Sequence, residues 1–143
     1  MNSRRRFLIV AVVMLLAGCA GLHSAPVDPA RAEVDRLFGR LQQDLRSDNW
    51  TRIGWAFSPG ARDISSARNS REERWVDFQT VDVSLMPGRI LERDGLMNVQ
   101  VRWNRLVRNR NGQFIKSAGT AEVILEKFRN EYRIRQILGD SFL

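Results

Sequence analysis

An α+β fold, with N-terminal helices packed in a curved antiparallel sheet, is the class this sequence predicts. Three observations carry it. Apolar residues recur at helical spacing from Val34 to Phe57, a period of two takes over from Val81, and Asp-Gly and Asn-Gly turns divide the second half into strand-length segments. No internal repeat appears.

The chain opens on Arg4-Arg5-Arg6, an apolar run from Phe7 to Leu16 and the small pair Ala17-Gly18, the layout of a secretory leader. That run is too short for a lasting transmembrane helix. Leu16-Ala17-Gly18-Cys19 resembles a bacterial lipoprotein signal. The resemblance implies a diacylglyceryl thioether on Cys19, cleavage before it, and acylation of the freed amine with a fatty acid such as palmitate. More than one acyl chain gives firm attachment, so the membrane is the first expected partner. Ala20 is not the aspartate that resembles an inner-membrane retention signal, which implies the periplasmic face of the outer membrane. The expected organisation is a leader over 1–18, a lipidated tether over 19–28 and one domain over 29–143.

Removing the leader leaves 125 of 143 residues, and its three arginines leave 20 basic against 16 acidic residues, a net charge of +4. The excess is dispersed and no basic helix interleaves aromatics, so no nucleic acid is expected as a partner. With Cys19 the sole cysteine, the domain has no disulfide. The only histidine, His23, falls in the tether, so neither a metal site nor a serine–histidine pair is expected. No glycine-rich phosphate loop is present, and no cofactor is expected.

Asp28-Pro29 marks a helix start, an N-cap acceptor followed by proline at the first helical position. Val34, Leu37, Phe38, Leu41 and Leu45 then form one apolar stripe, with Arg36, Arg40, Gln43 and Asp44 off it. Ser47-Asp48-Asn49 breaks the pattern and caps a shorter helix in which Trp50, Ile53 and Phe57 share a face until Ser58-Pro59-Gly60. Ser70-Arg71-Glu72-Glu73 reads as a capping box opening a third helix with Trp75 and Phe78.

Val81, Val83 and Leu85 begin the strands, and Pro87-Gly88 reads as a bend or bulge rather than a strand end. Asp94-Gly95 gives a hairpin turn. Val99, Val101 and Trp103 then face the core while Asn98, Gln100, Arg102 and Asn104 face water. Asn111-Gly112 gives the next hairpin, Gly119 lets a long strand curl, and Ala121, Val123 and Leu125 resume the alternation. Arg129-Asn130 turns into a last strand marked by Tyr132, Ile134 and Leu138.

This order, with Ala56-Phe57-Ser58-Pro59, Arg62-Asp63-Ile64, Tyr132-Arg133-Ile134 and Leu138-Gly139-Asp140, resembles the nuclear-transport-factor-2-like superfamily, the cystatin-like cone that includes ketosteroid isomerase and polyketide cyclases. The resemblance implies a sheet wrapped around the helices, a conical pocket, and a homodimer across the sheet's outer face. Isomerases of that family use an acidic base with a tyrosine or protonated acid as oxyanion donor, and its dehydratases add histidine.

Candidate pocket residues follow from chemistry. Trp55 and Trp103 offer apolar ring faces to a ligand, and Asp63 with Tyr132 is the nearest approach to an acid–base pair. Neither matches a catalytic motif, so no catalytic residue is assigned. Arg105, Arg108 and Arg110 cluster near Asn111-Gly112, where a solvated tip is the expected reading beside contact with lipid phosphates or an acidic partner. Arg102 is placed to pair with Glu122 or Glu126. The function expected is a non-catalytic binding or accessory module, taking a small apolar ligand or a partner protein of the envelope. The alternatives are an isomerase-like or cyclase-like enzyme with a degenerate site, and a structural lipoprotein with a filled core.

Overall fold

The computed structural model describes residues 28–61, 64 and 78–143. The leader, Cys19 and the tether up to Val27, Arg62 and Asp63, and the Ser70 capping box with Trp75 lie outside the described residues.

Helix α1 spans Pro29–Arg46, and the Asp28 carboxylate accepts the amide of Ala30 at 3.0 Å, as the Asp-Pro start predicts. All five residues of the predicted stripe are buried. The chain turns through Asp48 at positive φ, and the Asn49 side chain accepts the amide of Arg52 at 3.1 Å to open α2, Trp50–Trp55. Ile53 is buried on this helix, whereas Phe57 lies beyond it, in an isolated parallel bridge to Ile134. Two backbone bonds fix that bridge: the Ile134 amide donates to the Ala56 carbonyl at 2.7 Å and the Ser58 amide to the Ile134 carbonyl at 2.8 Å. The exit of α2 is thereby tied to the sheet.

Four antiparallel strands pair in chain order: β1 (Phe78–Arg93), β2 (Leu96–Asn109), β3 (Phe114–Phe128) and β4 (Glu131–Gly139). Asp94 and Gly95 both have positive φ, as do Arg129 and Asn130, the conformation that matches a two-residue hairpin turn to strand twist. The bend at Pro87-Gly88 is a register shift between Pro87 and Ile90, after which β1 continues to Arg93. Arg31 closes this shift from α1, donating to the Gly88 carbonyl at 2.7 Å and the Pro87 carbonyl at 2.9 Å while its Nε bonds Asp35 at 3.0 Å.

Three assignments from periodicity are corrected. Phe78 opens β1 opposite Asn109 and is not helical, because cross-strand pairing claims its backbone. Val81 is 44% exposed and Thr80 is buried in its place, because the register shift between Thr80 and Asp82 inserts one residue and reverses the phase. Leu138 is 40% exposed for the same reason: Ile124 and Leu125 pair with Gln136 and Ile134, leaving Arg135 as the extra residue and turning Ile137 inward.

The buried stripe of α1, with Ile53 and Phe57, packs on Val83, Leu85, Met97, Val99, Val101, Trp103, Val123, Leu125 and Ile134, and Phe142 completes the same cluster. Burying each such side chain contributes about 1.5–3 kcal/mol relative to exposure, so packing alone can carry a domain without disulfides. Trp103 stands opposite Gly119, where a Cβ would lie 2.8 Å from its Cζ2. The glycine makes room for the indole.

Candidate functional site

Among the described residues the inward face of the sheet carries the apolar core, and hollows lie beside it. A groove of about 460 Å³ runs between α1, α2 and the start of β4. Its floor is Leu37 and Leu41 of the buried stripe, and Trp55 and Tyr132 supply aromatic walls. A second hollow of about 490 Å³ shares Leu37, Arg40, Glu131 and Tyr132 and extends the groove toward Glu33 and Arg36.

Each wall has a local cause. Trp55 sits two residues past the buried Ile53, which at 100° per residue carries it round to the outer side of α2, and it is 66% exposed. Tyr132 pairs with Lys127 across the β3–β4 ladder, and the Lys127 ammonium lies 5.1 Å from its ring centroid. Arg133 stacks its guanidinium 4.8 Å from the Phe128 centroid, while its buried Nε has no hydrogen-bond partner. Arg40, Arg52 and Arg133 bring three cations to the first hollow against two carboxylates, Asp44 and Glu131. Asp44 is drawn toward Arg52, at 4.0 Å. An apolar floor, two aromatic walls and a cationic rim suit a ligand with one flat or apolar face and a negative group.

Of the sequence-derived candidates, Trp55 and Tyr132 line this one groove although they stand far apart in the chain. Trp103 is elsewhere: it is 8% exposed, packed in the core, and donates its indole N–H to the Asp140 carbonyl. Asp63 lies outside the described residues. Arg40, Arg52, Glu131 and Arg133 were not singled out as site residues from sequence. The usable signal was Trp55 itself, a large aromatic on the wet side of a short helix. The ladder expected between Arg102 and Glu122 or Glu126 does not form: the register sets Arg102 opposite Thr120 and Glu122 opposite Gln100, and Glu126 pairs with Arg135 at 3.8 Å. Among the described residues, no group of three His, Cys, Asp or Glu side chains could hold a metal ion.

No protein-family model matches the sequence, and no curated protein matches it. Solved structures do match in shape. Aln2 from a Streptomyces species superposes with a TM-score of 0.64 at 15% identity, over 80% of this chain and 92% of that one. A nuclear-transport-factor-2-like protein of unknown function from Shewanella oneidensis gives 0.59 at 8% identity, over 74% and 94%. A nuclear-transport-factor-2-like superfamily protein from Salmonella enterica serovar Typhimurium gives 0.59 at 14% identity, over 74% and 86%. The fold is therefore the α+β nuclear-transport-factor-2-like cone, helices first and a curved antiparallel sheet after.

Proposed function

We propose that this protein is a lipid-anchored envelope protein, held through Cys19 at the periplasmic face of the outer membrane, that acts as a non-catalytic binding module for a small ligand. One observation carries the binding reading. Trp55 and Tyr132, on a helix and a strand far apart in sequence, share a groove rimmed by Arg40, Arg52 and Arg133. A two-thirds exposed tryptophan forgoes the burial that would stabilise the fold, and a ligand face is the natural place to recover it.

The anchor rests on Leu16-Ala17-Gly18-Cys19 and the leader before it. The apolar ligand of the sequence reading becomes an amphipathic one, because the groove's rim is cationic. Native mass spectrometry of the protein extracted from its host membranes tests the module. A retained small molecule that disappears in Trp55→Ala supports it. A bare mass in both, with no ligand gained from a host extract, assigns the protein instead to a structural envelope role.

A further inference from the structure

The β2–β3 hairpin end carries two exposed cations, Arg108 and Lys116. The β2–β3 register sets Arg108 opposite Phe114 and Leu106 opposite Lys116. Val107 between them is buried, so these four side chains share the face away from the core, cations and apolar groups at alternating corners. Phe114 is 61% exposed, and its neighbour Ile115, on the other face, is 43% exposed. Arg108 donates to the neutral side chain of Gln79 at 2.7 Å, a contact that orients the guanidinium without cancelling its charge, and Arg105 donates to the Thr80 hydroxyl at 3.0 Å.

A solvated tip accounts for the cations but not for an exposed Phe-Ile pair among them. The combination matches a bilayer interface, where aromatic and aliphatic side chains enter the headgroup boundary and cations meet lipid phosphates. We infer that the β2–β3 hairpin end docks on an anionic phospholipid bilayer, with Phe114 and Ile115 entering the interface and Arg108 and Lys116 meeting phosphates. The docking itself does not require the acyl anchor.

The test uses the mature chain from residue 19, carrying Cys19→Ser and Asn111→Cys, with an environment-sensitive bimane on residue 111, mixed with phosphatidylglycerol or phosphatidylcholine vesicles. Quenching by headgroup-region spin-labelled lipid should be about fivefold stronger with phosphatidylglycerol and should fall away at about 0.5 M salt. Adding Phe114→Ala/Ile115→Ala or Arg108→Gln/Lys116→Gln should abolish it, with circular dichroism and Tm retained because these side chains are exposed. Equal quenching in both vesicles, none in either, or full quenching in the Phe114→Ala/Ile115→Ala chain overturns the inference. So does a vesicle-free spectral change that grows with protein concentration, which assigns the tip to a second copy.

Discussion

The indole N–H of Trp103 donates to the backbone carbonyl of Asp140 across 2.8 Å, fastening the segment after β4 to the middle of the sheet. The Asp140 amide returns a bond to the Thr120 carbonyl at 3.2 Å, and Phe142, two residues on, is buried in the core. Trp103 is therefore both core bulk and clasp. Trp103→Ala should cost about 3–5 kcal/mol, a large share of a small domain's stability. Trp103→Phe keeps most of the bulk but loses the N–H and should cost about 1–3 kcal/mol. Urea denaturation followed by circular dichroism ranks the two, and an alanine variant that melts like wild type would refute the clasp.

Gly119 should tolerate no side chain. A Cβ there would stand 2.7 Å from the Cβ of Asp140 and 2.8 Å from Cζ2 of Trp103, closer than real contacts allow. Gly119→Ala should destabilise by about 1–3 kcal/mol, the usual cost of overpacking. In the Trp103→Phe background the indole's outer atoms are absent, so the same change should cost less. Equal cost in both backgrounds would mean that Asp140 alone sets the limit.

Where the chain's own periodicity met regular pairing, the fold was legible: the α1 stripe, the inward Val99-Val101-Trp103 row and the Asp94-Gly95 turn follow from local chemistry. Sequence pattern caught the bulge that Pro87-Gly88 marks and failed at the two that no proline or glycine marks. A one-residue insertion at Val81 or Arg135 reverses the inward face, and it is set by what the neighbouring strand offers, which alternation within one strand does not encode. The groove was half legible for a related reason. Trp55 and Tyr132 announce themselves as aromatics, whereas Arg40, Arg52 and Arg133 differ from other surface arginines only in where the helices and β4 bring them together.

Arg31 should not be replaceable by lysine. Its guanidinium serves the Pro87 and Gly88 carbonyls and Asp35 at once, a fork geometry that an ammonium cannot reproduce. Because the site is partly exposed, Arg31→Ala should cost only about 1 kcal/mol. Arg31→Lys should recover less than half of that in the same denaturation assay. Hydrogen exchange at the β1 amides flanking Pro87 should quicken in both variants, and unchanged exchange there would sink the idea that Arg31 holds the bend.

Lipidation at Cys19 makes a separate expectation. A chain fed an alkyne-bearing palmitate should take up the label, its mature amino terminus should be a lipid-modified cysteine, and it should travel with outer-membrane markers on a density gradient. Cys19→Ser should take up none. One acyl chain gives only marginal attachment, so a wild-type mature mass with a single chain would predict easy washing from the membrane. An unmodified amino terminus elsewhere in the chain would refute the anchor.

Trp55 offers the sharpest separation of binding from folding. At 66% exposure it contributes little to packing, so Trp55→Ala should shift stability by no more than about 0.5 kcal/mol while removing one aromatic wall of the groove. Tyr132→Phe keeps the opposite wall and deletes only the hydroxyl, so it should weaken binding only if that hydroxyl bonds the ligand. Arg40→Gln and Arg133→Gln test the cationic rim. If the ligand carries a negative group, both should weaken its retention by roughly tenfold, the scale of one charge-assisted hydrogen bond. The measurement is ligand occupancy by native mass spectrometry beside Tm for each variant. Lost occupancy at unchanged Tm in Trp55→Ala locates the site in this groove. Full occupancy in that variant moves the site away from α2, and occupancy lost only together with Tm reduces Trp55 to a structural part.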